Sequence, residues 1–571
     1  MRHCFGMLLI LLFLCNNAFY SEVTEEREPP RELFDGFVKN NKIDELVLAE
    51  LINRKIPPSE TCSDEVFIRR VYLDTIGTLP NPQEVRSFLS SKNKNKRKNL
   101  IDRLLEKNEY ADYWTMKWGD LLRIKSEFPS NLWPNAVQAY SRWVRDALRS
   151  NMPYDKFVRE LLTSSGSNFR DPPVNFYRAF QERTPESLAE NAALLFMGLR
   201  LKEAGIEEEK LQGMYAFFSK VGYKNTEEWK EEIVYFNSDG KPVLAAPLNG
   251  TALTIFPDKD PRIVFADWLT SKDNPWFAKS FVNRVFYWLF ARGIVHEPDD
   301  MKADNKPWNE ELLKYLEKEF IESKFDVKTV FRLILNSNTY QLSSKGNEWN
   351  SEYEEGFSHY KVRRLEAEPL LDEVCKIVGG FENYTSPIPE PFTELKNAKA
   401  VSIADGSITS PFLEMLGRPS RNTSFESERN SMPSVSQVQN FLNSSLIEKK
   451  INKSRFLQQL IDSKKDNLSI LEELYIRILS RYPTEKEKEI ALKYLASDVG
   501  TQEAKAVQKE QDKIKKPGVL ITGEQGLKSA AVLVTEESKP KEKPPVKRTL
   551  AEWVFDVAWA LINASEFILK H

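Results

Sequence analysis

Helix-start signatures recur along this chain, each standing directly ahead of apolar residues at helical spacing, and they restrict its fold more than any other feature. Asn81-Pro82-Gln83-Glu84 combines an N-cap residue, a proline at the first helical position and an acidic third residue. Val85, Phe88 and Leu89 then fall on one face. Thr184-Pro185-Glu186 opens a second helix, with Leu188, Ala192, Leu195, Phe196 and Leu199 as its stripe. Thr484 with Glu487, and Thr549 with Glu552, form capping boxes near the C-terminus. Each signature supplies partners for backbone N–H groups that a first helical turn leaves open, so the chain is expected to be mainly α.

One β signal interrupts the helices. Glu232-Ile233-Val234-Tyr235-Phe236 and Lys241-Pro242-Val243-Leu244 flank the turn residues Asn237-Ser238-Asp239-Gly240, which predicts a short β-hairpin. Ala245 to Pro261 is rich in Pro, Gly, Asn and Asp and reads as a connection. The expected architecture is therefore two fused helical domains, 40–235 and 261–571, joined by the hairpin and connection at 236–260. Residues 502–547 are rich in Lys, Glu and Pro without helical apolar spacing, and read as a disordered insertion between a helix ending near Ser497 and a terminal helix from Leu550. The basic run Lys92 to Lys98 is read as a solvated loop.

The first 20 residues have the pattern of an export signal: Arg2 and His3, then Met7 to Leu14 apolar, then a polar exit with Ala18 at the expected cleavage position. Export to the periplasm or cell surface follows, and Cys15 is a weak candidate for a lipid anchor. No later stretch is long and apolar enough for a transmembrane helix, since Val554 to Leu569 is broken by Asp556 and Glu566. Beyond the leader only Cys62 and Cys375 remain, with no framework of spacings to say whether they pair. The formal charge of -3 gives no field directed at nucleic acid.

Longer motifs carry a family resemblance. The stretch Glu65-Val66-Phe67-Ile68-Arg69-Arg70-Val71-Tyr72-Leu73-Asp74 through Gly77 and Pro80, with Tyr110-Ala111-Asp112-Tyr113-Trp114 and Trp118-Gly119-Asp120-Leu121-Leu122, resembles the planctomycete cytochrome-type domain. Asp267-Trp268-Leu269, Asn283-Arg284-Val285, Arg292-Gly293-Ile294-Val295, Asp299-Asp300, Arg363-Arg364-Leu365-Glu366-Ala367-Glu368 and the terminal Trp559 to Phe567 resemble the planctomycete-specific domain that normally follows it. The resemblance implies a large exported bacterial protein whose domains have no assigned function, with polysaccharide use as an associated theme. Haem-bearing members place Cys-x-x-Cys-His after a Gly-Leu-Arg-Leu-like helix end. Here Gly198-Leu199-Arg200-Leu201 continues as Lys202-Glu203-Ala204-Gly205-Ile206 and then three glutamates, with neither thiol nor histidine. No cofactor is expected.

Catalytic signatures are scarce. Past the leader there are only His296, His359 and His571, with no paired histidines, cysteine clusters, nucleophile elbow or phosphate loop. Asp299 and Asp300, with Asp304, could hold a hard cation, but the spacing is not that of a calcium loop, and a turn role is preferred; no metal site is expected. Arg363, Arg364, Glu366 and Glu368 are candidate charged residues, as are Asn283 and Arg284, while Glu426, Glu428 and Arg429 form a further charged cluster. Carboxylate pairs suffice for a glycosidase. Neighbouring arginines depress a glutamate, however, against what a general acid needs, so an ion-pair role is preferred. Trp114, Trp118 and Trp133 are candidates for stacking on a sugar, against the alternative of a helical core. The function expected is an exported non-catalytic binding or scaffold protein, its partner a polysaccharide or another exported protein; the alternative is a carbohydrate-active hydrolase using carboxylates of the second domain.

Overall fold

A computed structural model of the chain describes residues 28–388, 394–432, 445–497 and 548–571. The expected export leader and the expected insertion at 502–547 lie outside the described residues. Helices dominate, and the strands make only small two- and three-stranded sheets, so the fold is mainly α. The sequence signatures start helices where expected. Asn81 Oδ1 accepts from Glu84 N at 2.9 Å while Glu84 returns a bond to Asn81 N at 2.9 Å, opening Pro82–Ser90. Thr184 caps Pro185–Met197, and the boxes at Thr484 and Thr549 open Glu485–Ala496 and Leu550–Ile562.

Two clusters of buried side chains form the interior. The first gathers residues from Ile43 to Tyr360, with Ile476. The second gathers residues from Leu365 to Ile568, with Leu73 and Leu79. Helix α1 (Asp64–Ile76) lies between them, and every residue from Phe67 to Ile76 is buried, the charged Arg69, Arg70 and Asp74 included. Phe67, Ile68, Val71 and Tyr72 face the first cluster while Leu73 faces the second. Arg69 donates to Ile478 O (3.1 Å) and Phe567 O (2.8 Å), and Arg70 to Tyr340 O (2.7 Å) and Leu342 O (2.8 Å). These bonds satisfy backbone carbonyls of distant segments and tie both clusters to one helix. The helix ends at Gly77, φ 62°, where a Cβ would overlap the ring of Tyr113.

Helix α2 (Asn108–Leu121) carries Tyr113, Trp114, Lys117, Trp118 and Asp120. Helices α3 (Pro185–Met197) and α4 (Phe277–Phe290) pack on each other in the first cluster, and α5 (Ala367–Val378) lies in the second. Both strands of the expected hairpin form, but they do not pair with each other. Strand β1 (Gly166–Ser167) and β2 (Val221–Asn225) pair antiparallel with β3 (Glu232–Phe236), while β4 (Val243–Ala245) pairs with β5 (Leu253–Ile255). Each strand pairs across its outer turn, 226–231 or 246–252, so Asn237 to Pro242 is a link between two ribbons. The basic run also differs from expectation. Lys96 and Arg97 start a helix, Lys96–Leu105, and both pair with Asp64 at 2.6 and 2.9 Å, with Arg97 lying over the Phe67 ring. Cys62 and Cys375 are free, each buried in a different cluster.

Candidate functional site

The charged motif begins on a two-stranded ribbon. Strand β6 (Arg363–Arg364) pairs antiparallel with β7 (Leu569–Lys570), which sets Arg363 directly opposite Lys570. Like charges in cross-strand register repel. The buried carboxylate of Asp74, on the last turn of α1, resolves the conflict by meeting both: Arg363 Nη2 at 2.8 Å and Lys570 Nζ at 3.2 Å. Tyr340 and Tyr360 hydroxyls donate to its other oxygen, each at 2.9 Å. Burial pushes the Asp74 carboxyl up, but Lys570 and Arg363 outweigh it and the pKa ends below the usual carboxylate range.

Glu366 and Glu368 stand at the start of α5, where carboxylates favour the helix dipole. Glu366 meets Lys117 of α2 at 3.0 Å and Lys570 at 2.9 Å, and accepts from the Tyr113 hydroxyl at 3.2 Å. Burial opposes its charge, yet Lys117, Lys570 and Arg363 hold it well below its ordinary value. Burial pulls the Lys117 ammonium downward, and the nearby cations Arg429 and Lys570 add to this against the opposing carboxylates of Glu366 and Glu426. Glu368 receives Arg429 at 2.7 and 3.0 Å and Arg418 at 3.2 Å, and against its burial the guanidinium of Arg429 draws it down to about 2. Arg429 and Arg421 share Asp120 at 2.7 and 2.9 Å. A Cβ on Gly119 would sit 3.0 Å from the Arg421 guanidinium, so the glycine lets α2 approach it. Arg364 has carbonyl partners instead: Leu365 O, Leu416 O and Asn430 O at 2.6 to 2.7 Å.

Asn283 and Arg284 of α4 organise the adjoining loop. Asn283 both donates to Val295 O and accepts from Val295 N at 2.9 Å. Arg284 donates to Leu195 O of α3 at 3.0 Å and to Asp299 at 2.8 Å. The second Asp299 oxygen accepts from Glu426 N at 2.7 Å, and Trp288 Nε1 donates to Glu426 Oε1 at 2.9 Å. Burial pushes the Glu426 carboxyl up to about 7, with Arg284 opposing and Asp299 assisting. Asp300 is half-buried, pairs with Lys302 at 3.4 Å, and takes no part in this cluster. Among the described residues no group of three or more His, Cys, Asp or Glu is arranged to hold a metal.

These elements leave a cleft of about 240 Å³ lined by Lys117, Tyr287, Trp288, Arg363, Glu366, Glu426 and Arg429, among others. It joins the motif beginning at Arg363 with the cluster at Glu426, which lie far apart in sequence. Another cleft, about 260 Å³, runs between Tyr72, Lys107, Asp372 and Lys376, but two of its cations are already engaged, Lys107 with Glu84 and Lys376 with Leu79 O.

Two family models match: PSCyt2, protein of unknown function (DUF1549), over residues 42–210, and PSD1, protein of unknown function (DUF1553), over residues 261–495. The chain belongs to the family that joins these two planctomycete domains. No curated protein and no solved structure matches it. The planctomycete-specific segment contributes to both buried clusters, and the cleft takes Lys117 from the cytochrome-type segment and its other named residues from the planctomycete-specific one.

Several sequence candidates are placed differently. Trp114 and Trp118 lie inside the first cluster, 2% and 3% exposed, with the Trp114 ring 4.9 Å from that of Trp288; neither has a face for a sugar. Trp133 is half-buried, edge-on to the exposed Trp229 at 6.3 Å and covered by Lys230, away from the cleft. Asn283, Arg284, Asp299 and Arg364 support the walls from behind, while Glu368 fixes Arg429. Sequence reasoning missed Asp74, Lys117 and Lys570 as members of the site. Asp74 sits inside a family motif and was visible there, whereas Lys117 and Lys570 carry no local signal.

Proposed function

We propose that this chain is an exported, non-catalytic binding or scaffold protein whose ligand, a polysaccharide or another exported protein, is held at the cleft between α2, α4 and β6. One observation carries this reading: both carboxylates of the motif are locked as anions, Glu366 by Lys117 and Lys570, Glu368 by Arg418 and Arg429. Groups fixed in charge and position suit recognition better than proton transfer near neutral pH. Export rests on the leader pattern of the first 20 residues. The test is an array of neutral and anionic oligosaccharides probed with the full chain, run beside a reducing-end assay on the same compounds. Binding without turnover supports the reading, and turnover of any of them overturns it.

A hydrolase is the second reading, and Glu426 is what favours it. Its carboxyl, raised to about 7, lines the same cleft as the depressed Glu366. Two carboxyls pushed apart in this way are the pattern of a general acid and its ionised partner. Turnover abolished by Glu426→Gln and by Glu366→Gln alike, with the fold retained, is the result that would establish it.

A further inference from the structure

We propose that the cleft takes an oxyanion, a carboxylate or a sulfate or phosphate ester, gripped by Lys117, Arg363 and Arg429. This rests on the binding reading above and names the chemistry of its ligand. The first ground is charge. Within the ion-paired network around the cleft, Asp74, Asp120, Glu366, Glu368, Asp299 and Glu426 are the carboxylates. Facing them are Lys117, Lys570, Arg284, Arg363, Arg418, Arg421 and Arg429, with Arg364 beside them on carbonyls alone. The cations are in excess before any proton is added. Two further buried carboxylates are taken up by other donors, Asp372 by Ala400 N and Val401 N, and Asp405 by Ser126 and Ser407.

The second ground is geometry. Lys117, Arg363 and Arg429 all line the cleft with side chains no more than 10% exposed, so their charge is poorly solvated and gains from an anionic partner. The buried Nε of Arg363 has no hydrogen-bond partner among the described residues. Glu426 also lines the cleft, faced by Arg284, Asp299, Lys117 and the indole of Trp288; burial pushes its carboxyl up to about 7, and its protonated form donates a hydrogen bond to an oxyanion. Trp288 and Tyr287 supply an aromatic flank. At about 240 Å³ the cleft is smaller than the roughly 300 Å³ at which drug-sized sites begin, so it admits one charged residue of a larger ligand or a small acid.

Calorimetric titration of the full chain with glucuronate, inorganic sulfate, inorganic phosphate and glucose, in physiological salt at pH 6 and pH 8, tests this. At least one anion should bind while glucose does not, and the preferred anion identifies the source of the charge. Affinity should fall from pH 6 to pH 8 as Glu426 ionises, and Glu426→Gln should remove that dependence. Lys117→Gln should weaken the anion about tenfold, the loss of one charged hydrogen bond. If Lys117→Gln does not fold, the pH profile of Glu426→Gln decides by itself. Equal binding of glucose and glucuronate, or anion binding indifferent to both substitutions, overturns the proposal. Neutral glycans bound on the array with no anion preference here would sink the oxyanion and leave the binding reading standing.

Discussion

Replacing Glu366 with Gln tests the central ion cluster most directly. The substitution keeps size and a hydrogen-bond acceptor for Tyr113 but removes the charge that Lys117 and Lys570 share at 3.0 and 2.9 Å. Lys570 retains Asp74, whereas Lys117 is left as a nearly buried ammonium without its ion-pair partner. Breaking a buried pair from one side costs about 3 kcal/mol. Unfolding entropy near 2 cal/mol/K per residue gives roughly 1 kcal/mol/K for a cooperative unit of this size, so Tm should fall by about 3 °C. The pH dependence is the sharper readout. The folded pKa of Glu366 is depressed, so its contribution is present above the unfolded value of about 4.3 and is lost as pH falls through the folded pKa. The gap in Tm between wild type and variant, measured by scanning calorimetry, should hold from pH 5 to 8 and close in more acidic solution. Adding Lys117→Met to Glu366→Gln should recover part of the loss, because it removes the stranded charge. A variant as stable as wild type at pH 7, or a gap that does not change with pH, would refute the assignment of Glu366 as a locked anion.

Gly119→Ala should destabilise by roughly 1 to 3 kcal/mol, since its methyl would press on the Arg421 guanidinium; a melting curve superimposable on wild type would show that Arg421 can yield. Cys62 and Cys375 should resist alkylation in the native protein, where burial pushes the Cys375 thiol up to about 12, and both should react after denaturation; a change of electrophoretic mobility on reduction would contradict two free thiols. Protein made in a host with active cytochrome maturation should show no haem stain after denaturing electrophoresis, because Leu199 to Glu209 has neither cysteine nor histidine; a stained band would make electron transfer a candidate function.

Local chemistry alone determined where helices begin. Asn81 with Glu84, Thr184, Thr484 with Glu487 and Thr549 with Glu552 act within one turn of themselves, so their spacing was enough to place the first residue of each helix. The order of the two family segments was likewise legible, because it rests on contiguous residues, whereas the ion-pair partners of Arg363, Glu366 and Glu368 were not, since Asp74, Lys117, Lys570, Arg418 and Arg429 come from distant segments. Strand pairing was not, for Glu232 to Phe236 had an acceptable partner on either side and the choice belongs to the sheet as a whole. The tryptophans show the same limit: the spacing of Trp114 and Trp118 fits a ligand platform or a core stripe equally, and only the packing of α4 against them puts them inside. The cleft itself was decided entirely by tertiary structure. Lys117, Arg363, Glu426 and Lys570 are brought together from distant parts of the chain by a helix running between two cores and a ribbon closed by the last strand. Charge separation of that kind leaves no local period or motif, because the forces that fix it act only once the segments have met.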